Sequence, residues 1–116
     1  MVEDEAGVRR LVVRILKRRG FEVVAAEDPA RALELVAEGF TPMLLVTDVV
    51  MPGMGGVELA EAMAERFPDL PTLFISGYSD RSLDGVLSDS NQDFLSKPFT
   101  PTQLAERVGA LLAARD

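Results

Sequence analysis

The chain has 116 residues, a formal net charge of −7 and 47% hydrophobic residues, which is ordinary usage for one folded domain spanning residues 1–116. It contains no cysteine and no histidine. Disulfides, histidine general bases and Cys- or His-based metal sites are therefore excluded. No apolar run reaches the ~18 residues of a membrane span, and the N-terminus lacks a signal-peptide layout. We expect a cytoplasmic domain without membrane contact.

Charge is unevenly distributed along the chain. Residues 1–19 hold six basic and three acidic side chains, whereas residues 20–116 hold six basic and sixteen acidic ones. This acidic balance disfavours a sequence-independent grip on nucleic acid, and we expect none to bind to this domain. The basic cluster is typical of a solvated helix face or of a docking surface for an acidic partner protein.

The first part of the chain alternates short apolar runs with helical periods. Met1–Glu3 predicts a very short strand, and Phe21–Ala26 predicts a second one. Between them, apolar residues at helical spacing predict a helix that ends at Gly20. Its inward residues are Val8, Leu11, Val12, Ile15 and Leu16, and its outer residues are Arg9, Arg10, Arg14 and Lys17. Asp28 and Pro29 are typical of an N-cap and first helical position, and this second helix ends at Gly39.

The rest of the chain continues the alternation. Met43–Val46, bounded by Pro42 and Asp48, predicts a strand buried on both faces. The later predicted elements are a helix at Val57–Phe67, a strand at Thr72–Ser76, a brief strand at Asp93–Ser96 and a helix at Pro101–Ala114. Residues 77–92 carry the weakest pattern, with a short helix around Leu83–Leu87 at most.

This order of elements predicts an α/β fold with a doubly wound, five-stranded parallel sheet. Five strands are too few for a (β/α)8 barrel. In open sheets of this kind, ligands bind beyond the carboxyl ends of the strands. The polar residues expected at those ends are Glu3, Asp4, Glu27, Asp28, Asp48, Ser76 and Lys97.

These side chains suit phosphoryl chemistry if they converge. Carboxylates at Glu3, Asp4 and Asp48 would repel one another or recruit a cation, and Mg²⁺ is held by one or two carboxylates in partly open sites. A carboxylate such as Asp48 can also attack phosphorus. Lys97 and the Ser76 hydroxyl would then contact phosphoryl oxygens. Taken singly, each residue has a plainer explanation as a helix cap, a turn former or a surface lysine.

Four segments at these strand ends carry a family resemblance that extends over the whole chain. They are Val2-Glu3-Asp4-Glu5, Leu44 to Gly56 around Asp48, Phe74-Ile75-Ser76-Gly77-Tyr78, and Phe94-Leu95-Ser96-Lys97-Pro98-Phe99. Together they resemble a response-regulator receiver domain of two-component signalling. The resemblance implies the flavodoxin-like strand order 2-1-3-4-5. It also implies a truncated first strand, because receivers usually carry three or four more apolar residues before the acidic pair.

The resemblance also implies roles for individual residues. Asp48 would be phosphorylated by a phosphohistidine of a histidine kinase or histidine phosphotransfer domain. Mg²⁺ would be bound by Asp4, Asp48 and the Val50 carbonyl, with Glu3 acting through water. Lys97 would contact the phosphoryl group, and its bond to Pro98 is expected to be cis.

The same resemblance implies which residues respond to phosphorylation and which control how long the phosphate lasts. Ser76 and Phe94 would rearrange on phosphorylation. Val50 and Tyr78 would set the rate of hydrolysis by controlling water access. Residues 79–92 resemble receivers attached to hybrid histidine kinases, so no dimer is assumed. We expect a domain without an output domain after Asp116, which either acts alone through protein contacts or is tethered to a kinase or output domain. Its only expected enzymatic activities are self-phosphorylation and autodephosphorylation.

Two other functions stay open on sequence grounds. One is a degenerate receiver that binds partners without phosphorylation, against which the complete set of Asp4, Asp48, Ser76 and Lys97 argues. The other is a small flavodoxin-like nucleotide or flavin binder. It predicts a phosphate-binding glycine loop after the first strand, but the chain has neither GxxxxGK[ST] nor GxGxxG.

Overall fold

The computed structural model of the protein describes residues 1–51, 53–76 and 91–115. The described elements, in chain order, are α1 (Ala6–Arg18), α2 (Pro29–Ala37), β1 (Leu45–Asp48), α3 (Gly56–Arg66), β2 (Thr72–Ser76), β3 (Gln92–Ser96) and α4 (Pro101–Arg115). The helix expected around Leu83–Leu87 lies outside these ranges. Among the described helices, none has the length and apolar content needed to cross a membrane.

The three strands form a parallel sheet in the order β1-β2-β3. Asp48 pairs with Ile75, and Ser76 pairs with Ser96, so the carboxyl ends of the strands lie side by side. Buried residues of α2 and α3 pack with one face of the sheet, and those of α1 and α4 pack with the other. The predicted α/β class with a parallel sheet between two helical layers is confirmed.

The first two of the five predicted strands are reduced to isolated bridges. Val2 pairs in parallel with Ala26 on one side and with Thr47 on the other. A ladder needs consecutive pairs of residues along two strands. Here Val2 forms one isolated bridge on each side, so no ladder is made. The predicted strand Phe21–Ala26 therefore contributes a single bridged residue, and the five-strand order stays a prediction.

Three further expectations are corrected by the structure. The strand predicted at Met43–Val46 instead runs from Leu45 to Asp48. Its hydrogen bonds to neighbouring segments begin where the Leu45 N–H donates to the Pro71 carbonyl and continue to the Asp48 N–H, which donates to the Val2 carbonyl. Leu11, expected inward, is 46% exposed. Arg9, expected on the outer face of α1, is half-buried and turns back toward the first residues of the chain.

The predicted start of α2 is confirmed. The Asp28 carboxylate accepts a hydrogen bond from the Arg31 N–H at 2.8 Å, and Pro29 occupies the first turn. An N-cap carboxylate satisfies one of the backbone donors that a helix leaves unpaired, and proline loses nothing at this position. The segment just before this cap is joined to the acidic pair by the Glu3 N–H, which donates to the Ala26 carbonyl at 3.1 Å.

Candidate functional site at the carboxyl edge of the sheet

Three charged side chains from distant parts of the chain meet at the carboxyl edge of the sheet. The Lys97 Nζ lies 3.4 Å from the Asp48 Oδ2 and 3.7 Å from the Glu3 Oε1. Asp48 ends β1, Lys97 follows β3, and Glu3 follows the bridge residue Val2. Parallel pairing brings these strand ends together, because each strand runs in the same direction.

Asp48 is buried, and its two neighbours in the sequence hold it in place by hydrogen bonds. Its Oδ1 accepts a hydrogen bond from the Val49 N–H at 3.0 Å, which leaves Oδ2 facing Lys97. The buried Thr47 hydroxyl donates to the Asp48 carbonyl at 3.0 Å. The carboxylate is therefore fixed by a backbone donor on one oxygen and by an ammonium on the other.

The start of α3 is packed directly against the Asp48 backbone. A Cβ atom on Gly56 would lie 2.1 Å from the Asp48 carbonyl oxygen, and the Gly56 N–H donates to the Val49 carbonyl at 2.8 Å. Only a residue without a side chain permits this approach. Gly56 thus sets the distance between α3 and the strand that carries Asp48.

Glu3 is the charged side chain of the site whose surroundings stabilise its charge least. It is 1% exposed, and neither of its carboxylate oxygens has a hydrogen-bond partner among the described residues. Burial raises the pKa of Glu3 to about 7, with the neighbouring Asp48 carboxylate adding to the rise and Lys97 opposing it. One lysine shared by two buried carboxylates leaves the site short of positive charge.

The carboxylates can be satisfied by a divalent cation. One oxygen each from Glu3, Asp4 and Asp48 lies within 4.8 Å of the others. Clustered carboxylate oxygens are the ligands that Mg²⁺ prefers, and a cation would offset both the burial of the Glu3 charge and its repulsion by Asp48. The Glu3 oxygens without a hydrogen bond and the all-carboxylate donor set fit Mg²⁺, and the chain has neither cysteine nor histidine.

The remaining predicted site residues occupy three kinds of environment. Ser76 is fully buried at the end of β2, and its hydroxyl has no hydrogen-bond partner among the described residues. Its carbonyl accepts from the Lys97 N–H at 2.7 Å. Phe94 is half-buried on β3, opposite Phe74. Val50 is 62% exposed beyond Asp48.

Two further predictions concern residues at this edge. Tyr78 lies outside the described residues. The Lys97-Pro98 peptide bond is cis, as expected.

Two arginine contacts, one at the acidic pair and one along β3, were not identified from the sequence. The Arg9 guanidinium donates to the Glu3 carbonyl at 2.8 Å and fixes the backbone of the acidic pair. Arg107 on α4 donates to the Phe94 carbonyl at 2.9 Å and pairs with Asp93 at 3.1 Å. Helical periodicity gave no signal for either, because both positions also fit an ordinary solvated face.

The fold and this site define a class: a parallel α/β domain with an acidic cluster and a lysine at its carboxyl edge. A family model described as "Response regulator receiver domain" matches residues 1–109. The chain therefore belongs to the receiver-domain family of two-component systems.

Several relatives agree with this assignment. "Sensor kinase CckA" of Brucella abortus is 39% identical over the whole chain, which covers 12% of that protein. "Response regulator receiver protein CpdR" of the same organism is 38% identical, covering 98% of this chain and 95% of that one. Among solved structures, a response regulator receiver protein from Sinorhizobium medicae aligns with a TM-score of 0.90 at 30% identity, covering 99% and 93% of the two chains.

Proposed function

We propose that this receiver domain is a Mg²⁺-dependent phosphoacceptor in a histidine-to-aspartate phosphorelay, with Asp48 as the phosphorylated residue. The observation that carries the proposal is the position of the Asp48 carboxylate, 3.4 Å from the Lys97 ammonium and within 4.8 Å of the Glu3 and Asp4 oxygens. A buried nucleophile between a cation and an unsatisfied acidic cluster is suited to receiving a phosphoryl group.

The nucleophile of the chemical step is the Asp48 carboxylate. A lone pair of an Asp48 oxygen forms a bond to phosphorus while the phosphorus–nitrogen bond of a partner's phosphohistidine breaks. The imidazole nitrogen keeps the electron pair of that bond and is protonated. Because the Val49 N–H holds the carboxylate at 3.0 Å, the nucleophile does not need to be reoriented before attack.

Charge compensation falls to the residues around Asp48. Lys97 offers an ammonium to a phosphoryl oxygen, and Glu3, Asp4, Asp48 and the Val50 carbonyl would hold Mg²⁺. When bound, Mg²⁺ neutralises charge on the phosphoryl oxygens. The acyl phosphate is then lost slowly by hydrolysis, at a rate that we assign to Val50 and Tyr78.

The switch that reads the phosphate is proposed to involve Ser76 and Phe94. The Ser76 hydroxyl is buried without a partner, so a new acceptor nearby would gain its hydrogen bond. Phe94 lies two residues before Ser96 and three before Lys97, on the strand that borders β2. Movement at Ser76 would therefore be passed to the packing of Phe94.

The phosphoryl donor is proposed to be a histidine kinase or a histidine phosphotransfer domain in the cytoplasm. Relatives exist both inside long sensor kinases and as near full-length receiver proteins. These two arrangements support either a covalent tether to a kinase or a receiver that stands alone as the context of this chain.

The decisive test is phosphorylation by acetyl phosphate, followed by intact-protein mass spectrometry. We expect one phosphoryl group to be added to the parent protein with Mg²⁺, and none to be added to the Asp48→Asn variant or in excess EDTA. Asp28→Asn is the matched control, because Asp28 only caps α2. No mass gain in the parent protein would overturn the proposal and favour a degenerate receiver that binds partners without phosphorylation.

A further inference from the structure

Arg9, one turn into α1, contacts the acidic residues 3–5 at both ends of that segment. Its guanidinium Nη1 donates to the Glu3 carbonyl at 2.8 Å, and its backbone N–H donates to the Glu5 carbonyl at 2.9 Å. These two carbonyls lie on either side of Asp4 along the chain. A single residue of α1 therefore brackets the point at which the Asp4 side chain leaves the backbone.

The Glu3 carbonyl belongs to the peptide group that joins Glu3 to Asp4. Because a peptide group is planar, a hydrogen bond to its oxygen restrains the orientation of the whole group and the backbone torsions on either side of it. Those torsions set the directions of the Glu3 and Asp4 side chains. Both belong to the carboxylate cluster with Asp48, whose oxygens lie within 4.8 Å of one another. The hydrogen bond from Arg9 thus acts on two of the three members of this cluster.

Asp4 has few other restraints on the side of the helix. Its carboxylate is exposed and makes no hydrogen bond or ion pair with another described residue. Glu5, the N-cap of α1, forms no side-chain cap hydrogen bond. On the other side of the segment, the Glu3 N–H donates to the Ala26 carbonyl at 3.1 Å. The placement of Asp4 relative to α1 therefore depends on Arg9.

The charge of Arg9 does not explain this contact. Its guanidinium meets a neutral carbonyl, and the ion pairs formed among the described residues do not include Arg9. A positive charge close to a cation site also repels the cation. If Arg9 acted through its charge alone, its removal would strengthen Mg²⁺ binding, whereas loss of a positioning contact would weaken it. The two roles predict effects of opposite sign.

We propose that Arg9 is a positioning residue for the proposed Mg²⁺ site, because its hydrogen bond to the Glu3 carbonyl holds the Glu3 and Asp4 carboxylates in an arrangement that binds the cation. This inference rests on the proposed function, since it concerns the cation that supports phosphoryl transfer to Asp48. Without Arg9, the acidic segment would have to be ordered whenever Mg²⁺ binds, and the cost of that ordering would reduce the affinity. Arg9 orders the segment beforehand.

The proposal is tested by isothermal titration calorimetry of the full chain with MgCl₂ at about pH 8, above the pKa of Glu3. Arg9→Met should weaken Mg²⁺ binding by about fivefold to tenfold, because the segment loses a hydrogen bond from a charged donor. Arg10→Met is the matched control, because Arg10 is exposed on the same helix and carries the same charge. It should change the affinity by less than about twofold. Binding to Arg9→Met as tight as to the parent, or tighter, would overturn the proposal.

Backbone dynamics of the metal-free chain give a readout that does not involve the cation. In Arg9→Met, the ¹⁵N order parameters of the Asp4 and Glu5 amides should fall from about 0.85 to below about 0.6. The order parameter of the Arg31 amide, which is bonded to the Asp28 cap of α2, should stay unchanged. A general loss of structure would lower all three. Unchanged values for Asp4 and Glu5, or an equal fall at Arg31, would contradict a local positioning role.

A measurement on the parent chain needs no variant, so a folding defect in Arg9→Met leaves the proposal testable. The guanidinium NMR signals of Arg9 should shift on addition of Mg²⁺, and those of Arg10 should not. An Arg9 signal that does not respond to Mg²⁺ would overturn the proposal. A parent chain that binds no Mg²⁺ would overturn the proposed metal dependence together with this inference, whereas Mg²⁺ binding that is insensitive to Arg9→Met would overturn this inference alone.

Discussion

The two edges of the sheet differ in how their functional groups are held. At the carboxyl edge, Glu3, Asp48 and Lys97 converge within 3.7 Å contacts, and backbone bonds fix Asp48 from several directions. At the amino edge, a single bridging residue stands where a strand would lie, and an apolar cavity of about 440 Å³ remains. The carboxyl edge is therefore organised by charge and hydrogen bonds, whereas the amino edge is organised by apolar packing.

Removing Lys97 should have the largest effect and should be confined to the carboxyl edge. Lys97→Met leaves the Asp48 carboxylate without its ammonium, and we expect phosphorylation by acetyl phosphate to slow by about 100-fold or more. Lys17, on α1, is the only other lysine of the chain. Lys17→Met should leave the rate unchanged. Similar rates for both variants would contradict the role assigned to Lys97.

A side chain at Gly56 should break the packing beneath Asp48. Because its Cβ would lie 2.1 Å from the Asp48 carbonyl oxygen, Gly56→Ala should lower the free energy of unfolding by about 1–3 kcal/mol. Gly109 has nothing within 4 Å of a Cβ and lies inside α4. Gly109→Ala should instead stabilise by about 0.5–1 kcal/mol. Urea denaturation measures both changes in the free energy of unfolding. A Gly56→Ala protein as stable as the parent would contradict the close approach of Gly56 to the Asp48 backbone.

Neutralising Glu3 should stabilise the metal-free protein in a pH-dependent way. The folded state raises the pKa of Glu3 from 4.5 to about 7, so it binds more protons than the unfolded chain between these values. Stability is therefore lost as the pH rises through this window. In EDTA, Glu3→Gln should be more stable than the parent by about 3 kcal/mol near about pH 8, and equal to it near about pH 4.

The Glu3→Gln variant also sharpens the metal assignment. Adding Mg²⁺ should raise the unfolding temperature of the parent more than that of Glu3→Gln, because the cation relieves repulsion that the variant lacks. Thermal unfolding with and without Mg²⁺ measures this difference. An identical rise in both proteins would remove Glu3 from the proposed metal site.

The smallest expected effect lies at the amino edge. Val36 lines the cavity and has room for one more methyl group, so Val36→Ile should stabilise by about 0.8 kcal/mol. Val12 is 0% exposed and does not line the cavity. The same substitution at Val12 should cost about 1 kcal/mol or more through overpacking. Phosphorylation by acetyl phosphate should be unchanged in Val36→Ile. The contrast between the two positions is contradicted if both substitutions change the free energy of unfolding in the same direction.

Local patterns in the sequence predicted much of the fold and of the site. The apolar run before Asp48, the N-cap at Asp28 and the helical spacing in α3 and α4 predicted their elements to within two or three residues. The polar residues after the strands predicted where Glu3, Asp48 and Lys97 would meet. These signals are readable because strand burial, capping and helix periodicity depend on neighbours in the sequence.

The sequence by itself determined the α/β class, the parallel direction of the strands and the residue types that could do chemistry, since periodicity and composition express them locally. Tertiary structure alone decided that Arg9 turns back to the Glu3 carbonyl, that Gly56 touches the Asp48 backbone, and that the predicted strand Phe21–Ala26 keeps a single bridged residue. Those outcomes depend on contacts between distant segments, and no local pattern encodes which partner a side chain or a backbone group will find.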